Sequence, residues 1–127
     1  MIIVNPPQLP QPRGHSHGLL ADARVLFVAG QVGWGAGAIV SERFADQFDQ
    51  ALANVLAVVA AAGGTAESLA RLTIFVVDKA AYVDARREIG ERYRARMGRH
   101  YPAMTLVEVR SLLEPGALVE IEATAVL

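Results

Sequence analysis

The C-terminal part of the chain contains a predicted strand, residues 117–126, whose two sides differ in polarity. Every second position from 119 to 125 carries Val, Ile or Ala, whereas the positions between them carry Glu120, Glu122 and Thr124. Successive side chains of a strand point to opposite faces of the sheet. The chain is therefore predicted to build a sheet with one apolar face in the core and one face that is polar or meets another subunit.

Two amphipathic helices are predicted to cover the apolar face. The first has Ser41 as its cap and ends before Gly63, and its apolar residues recur every three or four positions. The second follows a cap at Asp78 and ends at Gly98, with an apolar stripe formed by Tyr82, Ile89, Tyr93 and Met97. Because each helix has a single apolar stripe, both are expected on the same face of the sheet.

The remaining elements complete a single α+β domain over residues 1–127. Other strands are predicted at residues 24–29, 72–77 and 104–110, and the prolines at positions 6, 7, 10 and 12 predict an extended arm. The predicted order is ββαβαββ, without an internal repeat or a linker. We expect a mixed sheet with two helices on one face.

Composition excludes several classes of function. The net charge of −1 gives no general attraction to phosphate backbones or anionic lipids, so neither nucleic acid nor a membrane is expected as a partner. Cysteine is absent, which removes disulfides and thiolate chemistry. The first residues do not read as a signal peptide, and the longest apolar run, residues 55–64, is too short to span a bilayer. These features predict a soluble cytoplasmic protein.

Several separated segments resemble one known family. Residues 14–17 (Gly-His-Ser-His) lie where that family usually has Pro-Tyr-Ser-Gln, and residues 28–31 (Val-Ala-Gly-Gln) resemble its Ser-Gly-Gln segment. Residues 50–54 and 62–63 resemble its first helix, and residues 101–110 and 117–126 resemble its end. This is the Rid family, also called YjgF/UK114, many of whose members hydrolyse reactive imines and enamines. The resemblance implies a chorismate-mutase-like fold and a homotrimer whose sheets face inward, with a cleft between neighbouring subunits.

The resemblance also implies a site without a cofactor. Glu120 falls on the family's acidic position in the last strand, where a carboxylate can hold water and pass protons, and it is the predicted catalytic residue. The predicted substrate-binding residues are His15, which takes the family's tyrosine position, together with Ser16, Ala29, Gly30, Gln31, Met104 and Thr105. The expected ligand is a small imine, enamine or related metabolite.

Met104 departs from the family pattern. In the best-known branch the corresponding segment reads Pro-Ala-Arg-Ser, and its arginine grips the carboxylate of the substrate. Loss of this contact is predicted to weaken binding of a 2-imino acid about ten- to hundredfold. Three interpretations remain open: Arg13 replaces the arginine from the arm, Met104 lines an apolar pocket for an uncharged ligand, or Met104 only packs in a wall.

Three functions follow from these observations. The first is hydrolysis of a small imine or enamine to a carbonyl compound and ammonia. The second is non-enzymatic binding of a small metabolite on the same trimeric scaffold. The third is a metal-dependent hydrolase that uses His15 and His17, which would share one face of a strand. Two histidines lack the third protein ligand that a catalytic metal needs, so no metal site is predicted.

Overall fold

The computed structural model describes residues 1–127 and contains six strands and three α-helices. The strands are β1 (Ile2–Val4), β2 (Gly18–Leu20), β3 (Val25–Val32), β4 (Leu69–Val76), β5 (Ala103–Glu108) and β6 (Val119–Val126). The helices are α1 (Phe44–Ala61), α2 (Lys79–Asp84) and α3 (Arg86–Met97), and a short 3₁₀ turn covers Ala66–Ser68. No helix combines the length and apolar character required to cross a membrane.

Four strands form a mixed sheet in the order β3-β6-β4-β5. β6 lies in the middle and runs antiparallel to both of its neighbours, whereas β4 and β5 are parallel. The two short strands β1 and β2 form a separate antiparallel ribbon near the arm. The predicted α+β fold with a mixed sheet is thus confirmed, although pairing of residues 2–4 was not predicted.

The helices cover one face of this sheet, as the alternation of β6 predicts. Val119 and Ile121 of β6 are fully buried, and they belong to one core that includes Leu52 and Val55 of α1 and Ile89 of α3. The other face carries no helix. We call it the open face, and Phe27, whose residue surface is 81% exposed, lies on it with Glu122.

The helix boundaries differ from the predicted ones in two places. Ser41 is not the cap of α1: the cap position is Arg43, and Ser41 lies two residues earlier, where its hydroxyl accepts from the Arg43 N–H at 3.0 Å and donates to Asp46 at 2.8 Å. The second helix is broken at Ala85 into α2 and α3. Asp78 caps α2 as predicted, since its carboxylate accepts from the Ala80 N–H at 2.9 Å.

Candidate functional site

Glu120 and Gly30 meet on the open face of the sheet. A Cβ atom added at Gly30 would lie 2.9 Å from Cδ of Glu120 and would collide with the carboxylate oxygen Oε1. A larger residue at position 30 would therefore push the carboxylate aside, because the carboxylate lies over the Cα of Gly30. The Glu120 carboxylate forms no hydrogen bond or ion pair with protein and is half-buried. It is consequently available to a water molecule or a ligand.

These two residues line a cavity of about 310 Å³ that we call the acidic cavity. Its lining includes Gly30, Gln31, Trp34, Leu113, Glu114 and Glu120, and no lysine, arginine or histidine is among the lining residues. Leu113 is almost completely exposed at the rim. The cavity thus combines two carboxylates with backbone groups of β3 and an apolar rim.

An irregularity in β3 places the backbone beside Glu120. The pairing of β3 with β6 shifts register between Val28 and Gln31, so that Ala29 and Gly30 have no partner residue in β6. Such bulges redirect a strand locally and release its backbone groups from the ladder. The Ala29 carbonyl instead accepts a hydrogen bond from the side-chain amide of Gln31 at 3.1 Å.

Gln47 holds the segment that precedes β6. This side chain is fully buried on α1. Its amide donates to the carbonyl oxygens of Ser41 at 2.8 Å and Gly116 at 3.0 Å, and its oxygen accepts from the Leu118 N–H at 2.8 Å. These bonds fix the chain two residues before Glu120. Gln47 is therefore a positioning residue for the acidic cavity.

A second cavity, of about 360 Å³, lies on the helix-covered side of the sheet. We call it the arginine cavity, and its lining includes Tyr82, Arg86, Tyr93, Arg94, Tyr101 and Met104. No Asp or Glu is among its lining residues. Met104 faces this side because it pairs with the buried Leu72 of β4. The two cavities thus lie on opposite faces of one sheet.

Two tyrosines form one wall of the arginine cavity. The rings of Tyr93 and Tyr101 are stacked, with centroids 5.8 Å apart and planes inclined by 8°. The Tyr93 hydroxyl donates to the His100 carbonyl at 2.9 Å, and burial raises the pKa of this phenol above its ordinary range. Tyr93 therefore stays neutral. Its ring contributes a flat surface to the cavity wall, and its hydroxyl proton is held by the His100 carbonyl.

The arm is attached to the start of β5. Ser16 is buried, its N–H donates to the Pro102 carbonyl at 3.0 Å, and its hydroxyl donates to the Tyr101 carbonyl at 2.6 Å. The rings of His15 and His17 are edge to face at 5.5 Å, and each ring nitrogen contact is with a backbone carbonyl. No group of three or more His, Cys, Asp or Glu residues is placed to hold a metal ion.

Comparison with known proteins decides the family. The family model described as Endoribonuclease L-PSP matches residues 8–127. A crystal structure of the Rid-family protein YyfB from Yersinia pestis is 33% identical and superposes with a TM-score of 0.86, covering 99% of this chain and 98% of the other. The chain belongs to the Rid family.

Two further relatives align over most of the sequence. A RutC family protein of Pyrococcus horikoshii is 32% identical over 118 residues, which are 91% of this chain and 90% of the relative. The human protein named 2-iminobutanoate/2-iminopropanoate deaminase is 28% identical over 114 residues, which are 88% of this chain and 79% of the relative.

Within this Rid-family chain, the predicted site residues are divided between the two faces of the sheet. Glu120, Gly30 and Gln31 line the acidic cavity, and Ala29 lies in the adjoining bulge. Met104 lines the arginine cavity on the other face. The exposed Thr105 lies on the open face, since it pairs with Thr73. His15 and Ser16 follow Gly14, which also lines the arginine cavity, whereas Arg13 does not.

Sequence reasoning missed three polar groups that shape these cavities. Gln47 interrupts the apolar stripe of α1 between Phe44 and Phe48, and a polar residue at such a position is a usable signal of a buried hydrogen-bonding role. Arg86 and Arg94 lie in a helix rich in charges, where exposed arginines are ordinary. Their special feature is the absence of a carboxylate partner, which only the tertiary structure reveals.

Proposed function

We propose that this chain hydrolyses a small imine or enamine to a carbonyl compound and ammonia, with Glu120 as the catalytic residue, in a homotrimer. The observation that carries this proposal is the unpaired Glu120 carboxylate, which lies over Gly30 in a cavity of about 310 Å³. Membership of the Rid family and similarity to a human protein named as an imine deaminase support the same chemistry.

The chemistry requires water, a base and a proton donor. Water held by the Glu120 carboxylate adds through its oxygen to the imine carbon, and Glu120 takes one water proton and delivers it to the imine nitrogen. The carbinolamine then loses its hydroxyl proton to the nitrogen through the same carboxylate as the C–N bond breaks. Ammonia leaves and a carbonyl compound remains, so no external oxidant, reductant or cofactor is consumed. An enamine enters the same route after protonation at carbon.

A trimer would explain the open face. Phe27 and Val25 are exposed on it, at 81% and 50%, beside the polar residues of β6. Apolar side chains in this number on a helix-free face are typical of a surface that another subunit covers. In this arrangement a neighbouring subunit closes the acidic cavity, and the reaction takes place in the cleft between subunits.

The test uses two glutamates that share one strand and one face. Ammonia release is measured from freshly generated 2-iminopropionate and from an uncharged imine of similar size, with Glu120→Gln and Glu122→Gln as the variants. Glu120→Gln should lower kcat/KM about 10²- to 10⁴-fold because proton transfer is lost. Glu122→Gln should retain activity within about threefold, because Glu122 does not line the acidic cavity.

Light scattering on each variant checks that the molecular mass of a trimer is kept. Full activity in Glu120→Gln, or equal losses in both variants, would contradict the role of Glu120. A monomeric mass for the native protein at assay concentration would contradict the intersubunit cleft.

Metabolite binding without turnover is the competing function, and one feature favours it. The arginine cavity is lined by tyrosines, Met104 and two arginines, with no carboxylate or histidine that could move a proton at neutral pH. The same ammonia assay separates the two functions. If neither the native protein nor Met104→Arg accelerates release from either imine, the binding function replaces the hydrolytic one.

A further inference from the structure

Glu114 is the second carboxylate of the acidic cavity, and a turn fixes its position. The Ala117 N–H donates to the Glu114 carbonyl at 3.1 Å. Between them lie Pro115 and Gly116, and the φ of Gly116 is +81°. A proline followed by a residue with a positive φ is typical of a type II turn. The turn thus presents Glu114, which is half-buried and forms no ion pair, at the cavity.

Two polar side chains of α1 hold two walls of this cavity. Gln47 is fully buried, and its amide donates to the Gly116 carbonyl at 3.0 Å, which ties the turn of Glu114 to the helix. The side-chain amide of Asn54 donates to the Trp34 carbonyl at 3.0 Å, which ties a second wall to the same helix. Groups that are fixed before a ligand arrives bind it at a smaller cost in entropy. Glu114 and Trp34 are therefore preorganised lining residues.

The two carboxylates of the acidic cavity have no counter-ion within this chain. Glu114 and Glu120 are the only charged residues of the lining, and neither takes part in an ion pair. Two carboxylates in one cavity repel each other, and a cation that enters between them relieves this repulsion. A ligand with a carboxylate of its own would instead be repelled by both. The charge of the lining therefore favours a cation.

The rest of the lining suits an organic cation rather than a metal ion. Trp34 is 39% exposed at the cavity, and tryptophan is the side chain that attracts organic cations most strongly through its ring. Leu113 and Val32 add aliphatic surface. The volume of about 310 Å³ is in the range of small-molecule sites, and no group of three His, Cys, Asp or Glu residues is placed to hold a metal ion. The ligand that fits is a small cation with an apolar body.

We infer that the acidic cavity takes the iminium ion of a simple amine, a substrate with a positive charge and no carboxylate, and that Glu114 determines this specificity. The inference rests on the proposed hydrolysis, because it names the substrate class of that reaction. One iminium ion and one water molecule give one carbonyl compound and one ammonium ion, so that atoms and charge balance. Oxidation of a primary amine at a carbon that bears no carboxylate is the class of reaction that must supply this substrate.

The test compares benzamidinium with benzamide by titration calorimetry at low ionic strength. Benzamidinium has the planar, positively charged C=N group of an iminium ion but is stable in water, and benzamide has nearly the same shape without the charge. Benzamidinium should bind at least about tenfold more tightly than benzamide, and the difference should shrink as salt is added. Glu114→Gln should weaken benzamidinium binding about five- to thirtyfold and leave binding of benzamide almost unchanged.

Glu122→Gln is the matched control, because it removes one negative charge from the open face at a position that does not line the cavity. It should leave the Kd for benzamidinium within about twofold. Glu114→Asp keeps the charge and should keep a preference for benzamidinium over benzamide. Equal affinity for the two ligands, no saturable binding of benzamidinium up to about 10 mM, or equal losses in Glu114→Gln and Glu122→Gln would overturn the inference.

Turnover supplies a second readout. The native protein should hydrolyse the imine that an amine oxidase forms from benzylamine with a higher kcat/KM than 2-iminopropionate, and Glu114→Gln should lower this ratio about five- to thirtyfold. Loss of hydrolysis in Glu120→Gln without a preference for benzamidinium would leave the proposed hydrolysis standing and overturn the inference. Benzamidinium binding that depends on Glu114, together with full activity in Glu120→Gln, would support the cation site and contradict the catalytic role of Glu120.

Discussion

The two cavities of this chain have opposite charge although the same sheet separates them. The acidic cavity has Glu114 and Glu120 and no cationic lining residue, whereas the arginine cavity has Arg86 and Arg94 and no acidic one. A carboxylate beside exposed backbone is suited to moving protons. Unpaired guanidinium groups around an apolar floor are suited to holding an anion. The difference teaches that one small sheet can present cavities of opposite charge on its two faces.

The largest expected effect comes from adding a methyl group to the acidic cavity. Gly30→Ala places a Cβ atom where the Glu120 carboxylate lies, so the carboxylate must move. We expect kcat/KM for imine hydrolysis to fall about 100- to 1,000-fold, because small displacements of a catalytic group are costly.

Gly18→Ala is the control, since a Cβ atom there would make ordinary contacts of 3.5 Å and 3.6 Å. Hydrolysis that stays within about twofold of the native rate in Gly30→Ala would show that the contact between Gly30 and Glu120 is unimportant.

A second prediction concerns the support of the acidic cavity. Gln47→Leu removes three hydrogen bonds and leaves the Leu118 N–H and two carbonyl groups without a partner. The free energy of unfolding in urea should fall by about 2–4 kcal/mol. Gln50→Leu, which loses one bond to Asn54, should cost less than about 1 kcal/mol. A similar decrease in the free energy of unfolding in both variants would show that Gln47 has no special role in stability.

A third prediction concerns the positive charge of the arginine cavity. Met104→Arg adds a third guanidinium to a lining that contains no acid. The protein should then unfold at a lower temperature because of the added repulsion between guanidinium groups. Met104→Leu keeps the apolar surface and should unfold at a Tm close to that of the native protein. An unchanged Tm in Met104→Arg would show that solvent screens the charges of this cavity.

The smallest effect concerns the paired arginines on the other side of α3. The hydrogen bond from Arg96, at 2.6 Å, lowers the pKa of Asp49 below its ordinary value of 3.8. A carboxyl whose pKa is lower in the folded state stabilises the fold above its unfolded pKa and loses this contribution as the pH falls through the folded value.

Asp49→Asn should therefore lower the Tm at pH 7 by about 2 °C or less, since the pair is screened by solvent. The difference from the native protein should vanish at an acid pH below the folded pKa of Asp49, where Asp49 itself is protonated. Calorimetric scans at both pH values measure this, with Glu91→Gln as the exposed control. A difference that persists at acid pH would mean that Asp49 acts through packing rather than charge.

The sequence predicted the elements well because their signals are local. Alternation in β6 identified the covered face and placed Glu120 on the open one, and the stripe of α1 identified the helix that packs there. The error at Ser41 has a local cause as well. Its hydroxyl has the chemistry of a cap, but Asp46 accepts its proton and the helix begins at Phe44. The break at Ala85 had no signal, because alanine is a good helix former.

The sites were less predictable because their contacts join distant parts of the chain. Gln47 is 71 residues from Leu118, and Ser16 is 85 residues from Tyr101. Whether an arginine is paired depends on the packing of α3 against Asp46 and Asp49 of α1, so the two unpaired arginines could not be distinguished from the others. The sequence identified candidate site residues, but only the tertiary structure shows which cavity each of them lines.

The central place of β6 also constrains when this domain can fold during synthesis. β6 is the only sheet partner of β3 and the only link between β3 and β4, yet every other element precedes it in the chain. Until β6 has been synthesised, α1 has half a sheet to pack against, and the apolar surfaces of β3 and β4 remain uncovered. Domains with non-local strand pairing of this kind fold slowly and pass through aggregation-prone intermediates. The nascent domain therefore depends on β6 to complete its core.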